Sequence, residues 1–162
     1  MSDFTSASDE FRIRPATVTD AATIAHHRAA MFQDMGRISG EEYTLLRAAT
    51  ESWIAGVLAN QQYVGWLVED SGAIVAGGGI LLREQFPTPG CYKTGKWAHI
   101  MNVYTKPEYR RRGLARRLMH LMIEWCTAQK IDQLTLSASD EGRPLYQSLG
   151  FQQTSDMRLS NF

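Results

Sequence analysis

A glycine turn between an extended segment and a long helix constrains this chain more than any other feature. Residues 110–115, RRRGLA, follow the extended segment 99–105 and open an amphipathic helix predicted over 112–129. The first backbone N–H groups of a helix have no partner inside it, and the helix dipole adds partial positive charge there. The arginines crowd this end with the unfavourable charge sign, which indicates that an anion is expected. The segment therefore predicts an anion site, for which a diphosphate is the natural ligand.

This segment resembles the acyl-CoA site of the GNAT superfamily of N-acetyltransferases, whose motif reads Gln/Arg-x-x-Gly-x-Gly/Ala. Arg110, Gly113 and Ala115 hold the defined places of that motif. Upstream, Pro107 stands three residues before Arg110, as at the end of the family's strand. Downstream, residues 145–151, LYQSLGF, match the family's Leu-Tyr-x-x-x-Gly-Phe. Because the order and spacing of all three agree, the resemblance is specific from residue 99 to residue 151.

Composition fits one ordinary globular domain over residues 1–162, with residues 1–9 as a frayed tail. The 162 residues are 44% hydrophobic, enough for a sizeable core. Lys+Arg and Asp+Glu both number 17, so the net charge of zero gives no basic field that favours nucleic acid.

The chain shows no sign of a membrane, secretory or metal-binding protein. No apolar run is long enough to cross a bilayer, and the polar first ten residues do not read as a signal peptide. Cys91 and Cys126 fit no metal spacing and are interpreted as free thiols in a reducing compartment. We therefore expect a cytoplasmic protein without a metal.

Hydrophobic periodicity predicts the element order βααβββαβαβ, and hence a mixed α/β (α+β) fold with a mostly antiparallel sheet flanked by helices. The same order belongs to the GNAT family. A first helix, capped by Thr19 or Asp20, ends near Gly36, and a second turns Trp53 toward its apolar side. The predicted strands are 11–14, 63–69, 73–82, 97–105, 134–136 and 151–159, and the later helices are 41–58, 112–129 and 141–148.

The resemblance implies acetyl-CoA as the acyl donor and assigns residues to it. Backbone N–H groups of 111–115 would bind the pyrophosphate, the arginines would neutralise its charge, and Arg116 or Arg117 would reach the 3′-phosphate. The pantetheine arm would pair with the strand at Val103 and Thr105. The implied set is Val103, Tyr104, Thr105, Arg110, Arg111, Arg112, Gly113, Leu114, Ala115, Arg116 and Ser139. Many members carry Asn where Ser139 stands, so Ser139 either keeps that contact or caps the following helix.

The resemblance also gives Tyr146 the role of general acid toward the departing CoA thiolate. A phenol with a pKa near ~10 is protonated at neutral pH. The alternative is a core tyrosine that packs against Phe151. For the base, the position nearest the family's carboxylate is Met101, which cannot act, and His99 lies on the same strand face. A structural role for His99, a water chain or Glu84 as base remain alternatives.

The acceptor is expected over the first two helices and the hairpin. The candidate residues include an apolar wall on the first helix and an asparagine on the central strand, which is expected to face away from Met101 together with Tyr104. The predicted set is His26, Met31, Phe32, Met35 and Asn102.

These features predict an N-acetyltransferase that transfers acetyl directly from acetyl-CoA to a primary amine of a small molecule or peptide. A non-catalytic acyl-CoA-binding or sensor domain of the same fold is the main alternative. A nucleotide site at residues 90–96, GCYKTGK, is opposed by Trp97, which replaces the Ser/Thr of a P-loop. Pairing through strand edges into a homodimer is a further expectation.

Overall fold

A computed structural model describes residues 10–160 and shows a five-stranded sheet in the order β1-β2-β3-β4-β5. Strands β1 to β4 pair antiparallel, and β5 joins β4 in parallel. The strands are β1 (Arg12–Pro15), β2 (Tyr63–Asp70), β3 (Ala73–Glu84), β4 (Lys96–Thr105) and β5 (Gln133–Leu136). The helices are α1 (Ala21–Asp34), α2 (Glu41–Ala59), α3 (Leu114–Ala128) and α4 (Arg143–Ser148). The predicted mixed, mostly antiparallel fold is confirmed, while the predicted tail lies outside the described residues.

Each face of the sheet carries its own apolar cluster. On one face, α3 buries Leu118 and Met122 against the sheet residues Ile80 and Ile100. On the other face, α1 and α2 bury Ile24, Ile54 and their neighbours against Leu67 of β2. Burial of such side chains is the main stabilising term, at about 1.5–3 kcal/mol each.

Residues in the left-handed conformation determine where α3 begins and where α1 ends. Helix α3 starts at Leu114 rather than Arg112, because Arg111 and Gly113 have φ values of 61° and 77°, in the left-handed region. At the end of α1, Gly36 donates its N–H to Gln33 O and Arg37 to Phe32 O. Those bonds form a Schellman motif and confirm Gly36 as the predicted C′ residue.

Two expectations from the sequence are wrong. Trp53 is 41% exposed, because the buried stripe of α2 runs through Thr50, Ile54 and Val57 instead. The predicted last strand, 151–159, does not form, since residues 151–160 contain neither helix nor strand. The polar run 152–156 offers no alternating apolar side chains for a buried strand face.

A β-bulge in β4 reverses the expected direction of two side chains. Met101 pairs with Gly79 and Tyr104 with Gly77, so Asn102 and Val103 together oppose one residue of β3. Asn102 has a φ of 61°, the left-handed conformation typical of one kind of bulge. Asn102 and Tyr104 therefore face α1, on the same side of the sheet as Met101, which corrects the strict alternation assumed from the sequence.

The two central strands separate beyond the bulge. Pairing between β4 and β5 covers only Trp97 to Ile100 against Gln133 to Leu136. Within the described part of the chain, residues 101–105 of β4 therefore have no ladder partner on their β5 side. This opening is the structural basis of the candidate site.

Candidate active site

The loop before α3 presents free backbone N–H groups to solvent. Within residues 10–160, the N–H groups of 111–116 make no hydrogen bond, and the first helical bond of this turn is from Arg117 N to Gly113 O. Left-handed conformations at Arg111 and Gly113 turn successive N–H groups to one side, as in an anion-binding nest. A Cβ built on Gly113 has no heavy atom within 4 Å, so open space lies in front of these groups. The geometry suits a phosphate.

The predicted arginines of this loop do not all point to that space. Arg110 forms an ion pair with Asp34 at the end of α1, with 2.5 Å between Nη2 and Oδ2. Its Nε also donates to Thr105 O, and its guanidinium lies 5.7 Å from the centre of the Tyr104 ring. Arg110 therefore ties the loop to α1 and β4, rather than standing free for a phosphate.

The other arginines of the loop are exposed. Arg112 lies over the ring of Tyr109, 5.2 Å from its centre, and Arg116 donates to Ser148 Oγ. These contacts leave Arg111, Arg112 and Arg116 at the solvent side of the loop. Leu114 differs from them because its side chain is buried in the core, so only its backbone N–H belongs to the anion site.

The predicted pantetheine residues lie on the separated edge of β4. The side chain of Val103 packs toward Met122 of α3, as contacts around Gly78 show, which leaves its backbone for the edge. Thr105 is half-buried, and its carbonyl already accepts from Arg110. Tyr104 is buried against the ring of His27, with 5.0 Å between the ring centres. The three residues are adjacent to the anion loop, although Tyr104 faces the α1 side.

Ser139 bonds to the backbone of the turn before α4, but it is not the helix cap that the sequence allowed, because the N-cap residue is Gly142 and no side chain within residues 10–160 caps it. Its Oγ accepts the N–H of Gly142 at 3.1 Å, and its carbonyl accepts the N–H of Arg143. These bonds organise the start of α4, the helix that carries Tyr146.

A cleft of about 1080 Å³ lies beside β5, and both predicted catalytic residues are among its lining residues. Tyr146 enters it from α4 and packs edge-on against Phe151, with 6.3 Å between ring centres. Burial raises the pKa of the Tyr146 phenol, so it is protonated at neutral pH. The predicted core contact with Phe151 and access to the cleft therefore coexist.

His99 enters the same cleft from β4. Its Nδ1 lies 2.8 Å from Thr135 Oγ1 on β5, which fixes the ring and leaves Nε2 for another partner. Burial lowers the pKa of His99, and the positive charges of Arg83, Arg28 and Arg158 lower it further. The imidazole is therefore neutral at pH 7, the form that accepts a proton. The side chain of Glu84, the alternative base, lies on the opposite face of the sheet from Arg83 and Trp97, since the side chains of successive residues in a strand point to alternate faces.

A polar cluster joins α1 to the bulge of β4. Arg28 Nη1 donates to Asn102 Oδ1 at 3.0 Å, and Asn102 Nδ2 donates to the Tyr63 hydroxyl at 3.2 Å. Burial raises the pKa of Tyr63 to about 12. The Tyr63 ring crosses Gly79 so closely that a Cβ there would lie 2.1 Å from the hydroxyl oxygen. Glycine at this position is thus required for the cluster.

The remaining predicted acceptor residues lie along α1. His26 is exposed, and its Nδ1 is 2.5 Å from the hydroxyl of Tyr43 on α2, so it links the two helices. Phe32 is half-buried between the guanidinium groups of Arg28 and Arg37, at 5.1 and 5.3 Å from its centre. Met31 is half-buried and Met35 is 37% exposed, so these apolar side chains remain accessible at the end of the helix.

Other kinds of site find no counterpart in residues 10–160. No group of three or more His, Cys, Asp or Glu side chains there is placed to hold a metal ion. No helix in that range is long and apolar enough to cross a membrane. The P-loop-like segment 90–96 runs directly into β4, so no helix N-terminus faces it.

The sequence and fold define the class of the protein. The model of the Acetyltransferase (GNAT) family matches residues 25–151, and the chain belongs to this family of acyltransferases. It is therefore an acetyltransferase enzyme, of a family that transfers acyl groups from acetyl-CoA to amines. No curated protein matches the chain in sequence.

Solved structures show close likeness over nearly the whole chain. A GCN5-related N-acetyltransferase from Ralstonia eutropha JMP134 is 29% identical with a TM-score of 0.88, over 93% of this chain and 98% of that one. A predicted acetyltransferase from Clostridium acetobutylicum, solved with acetyl-CoA, is 27% identical with a TM-score of 0.82, over 93% of this chain and 96% of that one. Glucosamine-6-phosphate N-acetyltransferase from Arabidopsis thaliana is 17% identical with a TM-score of 0.68, over 94% and 97%, and shares the fold.

Several residues of the site were not found from the sequence. Asp34 anchors Arg110, Thr135 holds His99, and Tyr63 holds Asn102. Each partner is at least 36 residues away along the chain, so no local motif signals the contact. Arg83 carried no signal either, because its place beside His99 depends on the pairing of β3 with β4.

Proposed function

We propose that this chain transfers the acetyl group of acetyl-CoA directly to a primary amine of a small molecule or peptide, with Tyr146 as general acid. The observation that carries the proposal is the arrangement of the cleft, the unpaired part of β4 and the loop before α3. Tyr146 and His99 line a single cleft beside β5. Residues 101–105 of β4, which within residues 10–160 have no ladder partner on their β5 side, lead along the chain to the free N–H groups before α3. An acyl carrier with a diphosphate at one end and a thioester at the other fits this arrangement.

The chain's own groups would hold the cosubstrate in three places. The N–H groups of 111–116 would bind the pyrophosphate, helped by the exposed Arg111 and Arg112, and Arg116 would be near the adenosine end. The free edge of β4 at Val103 and Thr105 would accept the amides of the arm. Asp34 would act indirectly, because it holds Arg110 against Thr105.

Two side chains would handle the protons. Acetyl-CoA supplies the activated acetyl group and a thiolate leaving group. A new bond from the amine nitrogen to the acetyl carbon replaces the bond from that carbon to sulfur. His99 would take the proton of the amine at Nε2, while its Nδ1 donates to Thr135 Oγ1. Tyr146 would give its phenolic proton to the sulfur, and its raised pKa keeps that proton in place until then.

The setting of this activity is also proposed. Cys91 and Cys126 are free and buried, which agrees with a reducing compartment such as the cytoplasm. Residues 1–162 would act as one domain, without nucleic acid, membrane or metal as partners. A homodimer through strand edges stays a prediction. The edge that it would use is the outer edge of β5, which has no ladder partner within residues 10–160.

Release of free CoA thiol in a screen of primary amines with acetyl-CoA tests the proposal. We expect amine-dependent thiol release that Tyr146→Phe lowers. A sensor domain would instead bind acetyl-CoA, which would raise the melting temperature of the protein, and no amine would cause release of thiol. Amine-independent release in both proteins would contradict direct transfer to the amine.

A further inference from the structure

Arg28 is a half-buried cation at the acceptor side of the proposed transferase site, and this inference rests on that function. Its Nη1 donates to Asn102 Oδ1, and its guanidinium stacks on Phe32. Neither neighbour carries a charge. Within residues 10–160, the ion pairs belong to Arg14, Arg110 and Arg143, and none includes Arg28. Burial of an uncompensated charge is unfavourable, so this guanidinium has unused capacity for an anion.

Two further arginines surround His99 without an acidic partner. Arg83 pairs with Trp97 across the sheet, and Leu81 pairs with His99 two residues further along each strand. Because side chains two residues apart on a strand point to the same face, Arg83 and His99 share a face of the sheet. Arg83 and Arg158 also line the cleft of His99 and Tyr146. In the described part of the chain, no carboxylate lies within 4.0 Å of either guanidinium.

The acidic side chains near the cleft do not balance these cations. Asp156 is the one carboxylate in its lining, and Arg143, a fourth arginine there, pairs with Asp140 at 3.6 Å. The charges of Arg83, Arg28 and Arg158 all act on His99, where each lowers the imidazole pKa. In the geometry of the sheet, Arg83 shares the face of His99, and Arg28 lies on that same face beside Asn102.

We propose that the acceptor is an amine that also carries an anionic group, a carboxylate or phosphate, and that Arg28 and Arg83 determine this specificity by binding it. The planar guanidinium presents paired N–H donors that match a carboxylate or phosphate. A polycationic amine would meet three like charges instead. The same positive surroundings favour the uncharged form of a bound amine, which is the form that attacks the thioester.

The test compares amines in matched pairs that differ only in the anionic group. β-Alanine and 2-aminoethylphosphonate are each assayed against β-alaninamide, and a set of amino acids against their C-terminal amides. We expect the best acid to exceed its amide at least about tenfold in kcat/KM, the ratio for one net charge-assisted interaction. A phosphonate preferred over the carboxylate would identify phosphate as the natural anion.

Variants then assign the preference to the two arginines. Arg28→Met and Arg83→Met should lower the ratio of kcat/KM for the acid to kcat/KM for the amide toward one. Arg28→Lys keeps the charge and should retain part of the preference. Arg12→Met, exposed on β1 at the far edge of the sheet, is the control and should keep the full ratio. A melting-temperature rise with acetyl-CoA verifies that each variant is folded.

Three results would overturn the inference. In the parent, amides or diamines that outperform the acids would show a non-anionic acceptor while the transferase function stands. An acid preference retained in both Met variants would remove these arginines from specificity. If no amine is acetylated, the proposed function fails, and calorimetry on the CoA-saturated protein decides the inference separately. There, equal binding of acid and amide contradicts it.

Discussion

The hydroxyl of Tyr146 can be removed with little change in volume. Tyr146→Phe should keep the packing against Phe151 and the affinity for acetyl-CoA, and should lower the single-turnover rate about 10²–10⁴-fold. Single-turnover measurement matters because slow product release masks a loss in chemistry. Phe151→Leu, which alters the packing and keeps the phenol, is the matched control and should lose melting temperature more than rate. An unchanged single-turnover rate for Tyr146→Phe would exclude the acid role.

His99 makes a pH-dependent prediction of its own. Because burial and the neighbouring arginines lower its pKa, the imidazole stays neutral below its usual value of about 6.5, and the acidic limb of kcat should lie below that pH. His99→Gln should lose rate mainly below the pKa of the amine and recover partly in alkaline assays, where the free amine forms unaided.

Thr135→Val is the matched variant for this prediction, because it removes the partner of Nδ1 and keeps the ring. We expect an intermediate loss of rate with a displaced acidic limb. If His99 is only structural, His99→Gln should lower the melting temperature while the pH profile keeps its shape, and that pattern would eliminate the base role.

At the scale of elements, the start of α3 gives the sharpest test of cosubstrate binding. Gly113→Glu adds bulk and negative charge in front of the free N–H groups and should abolish the melting-temperature rise caused by acetyl-CoA. Gly72→Glu is the matched control. Both glycines are left-handed, at φ values of 77° and 85°, and a Cβ at either has open space around it.

The control separates backbone strain from ligand exclusion. Gly72 lies in the turn between β2 and β3, so Gly72→Glu should lower the melting temperature of the free protein by a similar amount. It should nevertheless keep the full response to acetyl-CoA. An equal response in both variants would show that the diphosphate binds elsewhere.

Elements whose signals are local were predictable from the sequence. The loop before α3, the Schellman end of α1 at Gly36 and the segment that carries Tyr146 depend on residues within a few positions of one another. The family resemblance added their roles. In contrast, the bulge at Asn102 depends on how β3 pairs with β4, and it reversed the predicted direction of Asn102 and Tyr104.

The parts of the site that were missed arise from register. His99 meets Thr135 because Trp97 to Ile100 align with Gln133 to Leu136, and no periodicity within either strand contains that alignment. The absent strand over 151–159 has a related cause. A weak polar segment becomes a strand only when a neighbour supplies its hydrogen bonds, which its own sequence does not show.

At the scale of the whole molecule, His27 couples stability to pH. The side chain is 2% exposed against the ring of Tyr104, and burial, with smaller effects of His26 and Lys106, lowers the pKa of His27 to about 4. An unfolded chain restores a value near 6.5. As the pH falls from about 6.5 to 4, the unfolded state binds a proton at His27 that the folded state does not bind. The contribution of the neutral imidazole to the free energy of unfolding is therefore present above this window and is lost within it.

The size of the effect makes it measurable. At pH 5 the free energy of unfolding is about 2 kcal/mol lower than above this window, which corresponds to a decrease of roughly 4–8 °C in melting temperature for a chain of this length.

Carboxylates also titrate in this range, so the comparison must be between variants. His27→Leu removes the titrating group and should lose less melting temperature between pH 7 and pH 5 than the parent. His27→Gln serves the same purpose if the leucine does not pack beside Gly77. His120→Leu, at an exposed site of α3, should keep the parental slope. If His27→Leu and His27→Gln both lose as much as the parent, the buried imidazole does not govern the acid stability of the fold, and the carboxylates do.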